Sequence, residues 1–105
     1  MIDADAKSFD EVVSKGVVVV DFWATWCGPC KMQGAILEEK VAPALPDVTI
    51  AKVDIDANMD VAARFGIMSI PALRIFRDGE LKASFDGVTK ADEVIAAVQG
   101  GVIRR

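Results

Sequence analysis

The chain has 105 residues and a mass of 11.2 kDa, enough for one compact domain and too little for two. Hydrophobic residues make up 52% and charged residues 27%, a globular composition, and twelve Lys and Arg against sixteen Asp and Glu leave a charge of −4, with no electrostatic footprint for nucleic acid. No apolar run approaches the ~20 residues of a membrane helix, and Met1-Ile2-Asp3-Ala4-Asp5 lacks the basic and apolar regions of a signal peptide. The expectation is a cytoplasmic protein with no membrane and no nucleic-acid partner.

In chain order, Ser8-Phe9-Asp10-Glu11 has the form of a capping box, with Ser8 as N-cap and Glu11 three residues on. The helix it opens carries Phe9, Val12 and Val13 on one face and stops near Gly16. Val17-Val18-Val19-Val20-Asp21-Phe22-Trp23 is continuous and β-branched, the pattern of a strand buried on both faces. A helix follows from about Pro29 to Val41, with proline in the first turn, where its missing N–H costs nothing, and Pro43 and Pro46 beyond its end. Val48–Ile55 reads as the next strand, parallel to the first through a helical crossover.

Asn58 is placed to cap a short helix bearing Val61, Ala62 and Phe65, closed by Gly66. Ala72–Arg77 and Leu81–Asp86 flank Asp78-Gly79, a strong hairpin signal. Thr89 is placed to start a last helix whose apolar residues, Ala91, Val94, Ile95 and Val98, fall on one face, ended by Gly100 and Gly101. Allowing a short strand before the first helix, the order is β, α, β, α, β, α, β, β, α. That predicts an α/β domain: a mixed sheet covered on both faces, with the last hairpin adding antiparallel strands.

The chain has no histidine, which removes an imidazole base, Ser–His and Cys–His pairs, and histidine metal ligands. Its two cysteines cannot complete a four-thiolate metal site, so no metal is expected. They stand in Trp26-Cys27-Gly28-Pro29-Cys30, where the buried strand meets the following helix. Two residues between cysteines at a helix start bring both sulfurs to one side of the first turn, within disulfide reach. The first sulfur then faces free N–H groups and the positive end of the helix dipole, which stabilise a thiolate. Redox chemistry competes with two plainer readings, half of a zinc site and a structural cross-link. The zinc reading lacks ligands, and so short a loop adds little stability when cross-linked. Asp21, set among four valines, a phenylalanine and a tryptophan, should be desolvated with its pKa raised, unless the strand end still reaches water.

The stretch Val20-Asp21-Phe22-Trp23-Ala24-Thr25-Trp26-Cys27-Gly28-Pro29-Cys30-Lys31-Met32 resembles the active-site signature of the thioredoxin family. Ala51-Lys52-Val53-Asp54-Ile55-Asp56, Gly66-Ile67-Met68-Ser69-Ile70-Pro71 and Phe76-Arg77-Asp78-Gly79-Glu80 follow in the family's order and spacing, so the resemblance covers essentially the whole length. It implies the thioredoxin fold over one domain, 1–105, with a five-stranded sheet flanked by four helices and a cis bond before Pro71. Two positions depart from the family pattern. Ala35 stands where a helix-kinking proline is usual, so a straighter helix is expected even with Gly34 beside it. Ala72 stands where a threonine usually follows the cis-proline.

The resemblance also implies roles: a protein-disulfide reductase in which Cys27, at the exposed end of the helix, attacks and Cys30 resolves the mixed disulfide. Asp21 would take the Cys30 proton, directly or through water, with Lys52 on the neighbouring strand as a nearby charge. Trp26, Gly28, Pro29, Met68, Ile70, Pro71, Gly87 and Val88 would form an apolar rim for the target. The Cys27–Cys30 disulfide would serve without any other cofactor. The partners implied are thioredoxin reductase and disulfide-containing proteins, met as a monomer. Lowering the thiol pKa from ~8.5 to ~7, the value typical of this family, raises the thiolate at pH 7 from about 3% to about half. Weaker nucleophilicity gives back roughly fivefold, for a net gain of about threefold, so docking and proximity must supply most of the rate. Oxidases and isomerases of this fold usually carry histidine between the cysteines, which Gly28-Pro29 does not. A scaffold subunit would have no need to keep both cysteines, Asp21 and Ile70-Pro71.

Overall fold

Strand β2 (Val17–Trp23) carries the run of valines through the middle of the molecule, with every residue from Val18 to Phe22 buried. It lies between β3 (Thr49–Asp54), which runs parallel to it, and β4 (Ala72–Arg77), which runs antiparallel. With β1 (Ile2–Asp3) and β5 (Glu80–Asp86) at the edges, the sheet has five strands in the order β1-β3-β2-β4-β5. The structure, a computed structural model, describes residues 1–101. Four helices cover the sheet: α1 (Phe9–Val13), α2 (Gly28–Ile36), α3 (Met59–Arg64) and α4 (Ala91–Ala96). This is the mixed, two-sided α/β domain the sequence predicts.

Alternation along β2 divides the core. Val18, Val20 and Phe22 pack with Phe9 and Val13 of α1, Val61 of α3 and Phe76 of β4. Val19 packs on the opposite face with Leu37, Val41, Leu73, Ile75 and Val94. Asp21 and Trp23 share the parity of Val19, so they lie on the side covered by α2 and α4. Register completes the placement: Asp21 stands beside Lys52 of β3 and Leu73 of β4.

The turns follow local chemistry. Asp78 (φ 50°) and Gly79 (φ 87°) make the two-residue turn of the β4–β5 hairpin, in the left-handed region that such turns demand. The Asp78 carboxylate also accepts the Gly16 N–H at 2.8 Å, tying this turn to the loop after α1.

Several local expectations are corrected. The capping box sits one turn earlier than Ser8 and Glu11. The Asp5 carboxylate accepts the Lys7 and Ser8 N–H groups at 3.0 and 2.9 Å, and the Ser8 hydroxyl accepts the Asp5 N–H at 3.0 Å. Ser8 is therefore the far member of the pair, and the Phe9 N–H already bonds back to the Asp5 carbonyl. Asn58 makes no side-chain cap to α3; its amide accepts the Ala6 N–H and donates to the Asp54 carbonyl, pinning the N-terminal segment instead. Thr89 does not start the last helix, whose N-cap is Lys90; Thr89 is buried and bonded elsewhere. Helix α2 runs unbroken past Gly34 and Ala35, then widens into a π-helical turn, Leu37–Val41, in which the Ala42 N–H reaches back five residues to the Leu37 carbonyl at 2.8 Å. A second π-helical turn, Ala97–Gly101, follows α4 and includes the two glycines expected to end it.

The cap assignment has a direct check. Hydrogen bonds from the Ser8 and Lys7 backbone hold the Asp5 carboxyl below its ordinary pKa of 3.8. Asp5→Ala should lower the denaturant midpoint measurably, whereas Glu11→Ala should leave it nearly unchanged. Urea melts of the two variants decide between the two boxes, and the reverse order would restore Ser8 as the cap.

Candidate active site

The chain leaves the sheet after Trp23, turns with the Cys27 N–H on the Ala24 carbonyl at 3.2 Å, and enters α2 at Gly28. Cys27 is itself the N-cap of α2: its extended backbone (φ −94°, ψ 107°) aims the sulfur back over the helix end, where it accepts the Cys30 N–H at 3.2 Å. Pro29 occupies the first turn, as expected. The two sulfurs are joined in a disulfide, with Cα atoms 5.3 Å apart. A helix-end N–H donated to sulfur is the contact that favours a thiolate once the disulfide opens.

Exposure does not distinguish the two cysteines. Cys27 is 5% and Cys30 4% accessible, packed with Ala24 and against Trp23, Ile55 and Ile70. The expectation that Cys27 lies at an exposed end is corrected to that extent: in the disulfide its sulfur is covered, 3.9 Å from the Ile70 carbonyl oxygen. The bond between Ile70 and Pro71 is cis, as the resemblance implies.

Around the disulfide the rim residues are brought together unevenly. Trp26 is 68% exposed, and its indole Nε1 donates to the Asp56 carboxylate at 2.8 Å, which fixes the ring. A groove of about 260 Å³ runs between Trp26, Ile55, Ile67, Met68, Ser69 and Ile70. Met68 is 97% and Val88 41% exposed; Gly28 and Pro29 are exposed, Ile70 and Gly87 half-buried, and Pro71 buried. The Gly87 N–H donates to the Pro71 carbonyl at 2.9 Å, joining the two sides of the rim.

Residues 1–100 match the family model described as Thioredoxin. Among proteins named thioredoxin, one from Staphylococcus haemolyticus is 52% identical over 74 residues, covering 70% of this chain and 71% of its own length. Another from Staphylococcus aureus is 51% identical over 78 residues, or 74% and 72% of the two chains. A third, from Bacillus subtilis, is 44% identical over 81 residues, or 77% and 78%. The chain belongs to the thioredoxin family. It is a thiol–disulfide oxidoreductase, a protein-disulfide reductase whose redox group is the Cys27–Cys30 disulfide. The family implies a reductase that restores the dithiol and proteins whose disulfides are reduced.

Strand β2, which leads to the disulfide, carries a buried carboxylate. Asp21 has no accessible surface, and among the described residues neither carboxylate oxygen has a hydrogen-bond partner. Desolvation pushes its pKa up to about 6 from 3.8, against the opposing pull of the Lys52 ammonium. Among the described residues no ion pair joins the two. Lys52 instead lies over the Trp23 ring, its Nζ 4.5 Å from the centroid and 3.8 Å from where a Cβ on Gly34 would stand. A cavity of about 330 Å³ opens behind Cys30 and is lined also by Trp23, Gly34, Ala35, Glu38 and Lys52. Trp23 Nε1 is buried beside it without a partner among the described residues.

The bond from Trp26 to Asp56 and the approach of Lys52 to Gly34 are not legible in the sequence. Gln33, which is buried one turn beyond Cys30, escaped the sequence reading. A signal for Gln33 existed: it stands three residues after Cys30 and four before Leu37, on the inward stripe of the helix.

The Asp21 shift fixes the sign of a pH effect. A pKa raised from 3.8 to about 6 means that the folded state binds the proton more tightly. The contribution is fully present below pH 4 and is lost as pH rises through 6, leaving a cost of roughly 3 kcal/mol once the group is ionised. Asp21→Asn should therefore be more stable than the native protein at pH 8, and the difference should shrink as pH falls to 4. Denaturant melts across that range test it; a variant less stable at pH 8 would show a solvated acid.

Proposed function

We propose that Cys27 is the attacking thiolate and Cys30 the resolving thiol. The Cys27 thiolate attacks one sulfur of a target disulfide, forms the mixed disulfide, and releases the other target sulfur as a thiolate. Cys30 then loses its proton and attacks the Cys27 sulfur. The target's second thiolate leaves, and the Cys27–Cys30 disulfide carries away the two electrons' worth of oxidation. The observation that carries this order is the hydrogen bond from the Cys30 N–H to the Cys27 sulfur, which stabilises negative charge on Cys27 rather than on Cys30.

Asp21 is the base for Cys30, directly or through water, with Lys52, which lines the cavity behind Cys30, setting the local charge. A base is most effective when its pKa lies near the working pH. With a pKa of about 6, roughly nine in ten molecules hold the carboxylate one unit higher, at pH 7. Trp26, Gly28, Pro29, Met68, Ile70, Pro71, Gly87 and Val88 form the docking rim, whose exposed apolar members exclude water from the exchanging sulfurs.

The whole chain, 1–105, acts as one domain and a monomer in the cytoplasm, passing electrons from thioredoxin reductase to protein disulfides with no redox group besides its own cysteines. No helix among the described residues is long and apolar enough to cross a membrane. Neither a membrane nor a nucleic acid takes part in this reading, in keeping with the acidic composition.

Cys30→Ser removes the resolving thiol, so target proteins should accumulate as stable mixed disulfides on Cys27. Mass spectrometry locates the links; equal trapping at Cys30 in Cys27→Ser would overturn the assigned order. Replacing Met68 or Val88 with Asp should weaken reduction of a protein disulfide while a small aromatic disulfide reacts at nearly the native rate, because the small reagent needs the thiolate but not the rim. Equal losses toward both substrates would mean that these changes disturb the sulfurs themselves.

A further inference from the structure

One buried polar pair lies next to this chemistry without taking part in it. Gln33 of α2 has no accessible surface, and its carboxamide grips a single residue of the opposite rim. The Thr89 N–H donates to Gln33 Oε1 at 2.7 Å, and Gln33 Nε2 donates to the Thr89 carbonyl at 3.1 Å. An amide bound through both its oxygen and its nitrogen fixes rotation as well as distance, as a neighbouring strand would. Thr89 is buried too, and its hydroxyl donates to the Gly87 carbonyl at 3.2 Å. Gly87 in turn donates its N–H to the Pro71 carbonyl. The line of hydrogen bonds therefore runs from the helix that carries Cys30, through the segment around Val88, to the cis-proline.

Gly87, Val88 and Thr89 lie between β5 and α4, and Gly87 holds φ 83°. Such a segment keeps its conformation only through what it is bonded to. An apolar side chain at position 33 would fill the space but leave the Thr89 N–H and carbonyl without the partner they have here.

We propose that Gln33 is a positioning residue for target docking: it holds the Gly87–Thr89 edge of the rim at a fixed height above the Cys27–Cys30 disulfide. The inference rests on the reading of Gly87 and Val88 as target contacts. Removing the clamp frees the rim edge while the sulfurs keep their own helix-end geometry, so recognition of a protein suffers and the thiol chemistry does not.

The test compares Gln33→Met, close in volume but unable to make either bond, with the native protein, using insulin as protein disulfide, a small aromatic disulfide, and dithiothreitol as reductant. The expected result is a KM for insulin raised about five- to tenfold, with kcat and the small-disulfide rate within about twofold. Amide exchange at Thr89 should quicken by about tenfold or more while β2 amides keep their protection relative to global stability. Leu37→Val, a destabilising change on the same side of the molecule, should leave the insulin KM where it was. Thr89→Ala, which removes only the hydroxyl link to Gly87, gives a second route if Gln33→Met does not fold, with KM up about two- to threefold. An unchanged KM in whichever of these variants folds overturns the proposal, as does an equal loss on the small disulfide or an equal KM rise in Leu37→Val. Val88→Asp separates the two levels. If it raises the insulin KM and the clamp variants do not, only the Gln33 assignment fails; if it has no effect, the docking reading falls and this inference with it.

Discussion

The active site depends on the burial of β2 from Val18 to Phe22, on both faces at once. A strand whose alternate side chains belong to two separate cores cannot slip by one residue without moving each set to the wrong core. The point at which the chain must leave the sheet is therefore fixed at Trp23, and one turn later Cys27 becomes the cap of α2. The cysteine spacing sets how the sulfurs meet, but the strand sets where. Register from β2 to β3 and β4 then brings Lys52 and Leu73 beside Asp21, on the face that α2 covers.

That burial has an opposing consequence. The same packing that anchors the strand strips water from Asp21 and leaves both its oxygens unpartnered among the described residues. Lys52 offsets part of the cost through space, yet its ammonium lies against Trp23 and Gly34 instead of closing an ion pair. A paired carboxylate would be more stable and less basic. The arrangement gives up stability to keep a carboxyl that titrates near neutrality, the property the proposed proton acceptor needs. Rigidity is kept elsewhere, in the amide clamp of Gln33 on Thr89 and the backbone bond from Gly87 to Pro71.

Elements defined by strong patterns were legible in the sequence: the valine run, the Asp78-Gly79 hairpin, and the cysteine pair at a helix start. Each rests on a rule that acts within a few residues. What was not legible depends on partners distant in the chain. One exception is local: Ser8 and Glu11 fit a capping box, but Asp5, three residues before Ser8, takes the Ser8 N–H that Glu11 would have accepted, because the turn begins earlier. Asn58 and Thr89 look like helix starts, yet the Asn58 amide oxygen is claimed by Ala6 and the Thr89 backbone by Gln33, each more than fifty residues away in the chain, while the Thr89 hydroxyl turns to Gly87. The π-helical turn after Ile36 has no sequence signal that we can name. In the site, the cysteines and Asp21 stood out by chemistry alone. The cis bond at Pro71 and the composition of the rim came only through the family resemblance, since an X–Pro bond in isolation favours trans.

The Cys27–Cys30 disulfide belongs to a reductase rather than an oxidase. Gly28 and Pro29 supply no charge to stabilise the reduced form beyond the helix end itself, so the disulfide should be the favoured state against ordinary cellular thiols. The most direct test is the equilibrium constant of the Cys27/Cys30 pair with glutathione, measured by the fraction oxidised across a series of reduced-to-oxidised ratios. The expected potential lies below the glutathione poise, with the pair still largely oxidised where glutathione is mostly reduced. A potential well above that poise would mean that the reduced form is the stabilised one, and would turn the assignment toward an oxidase.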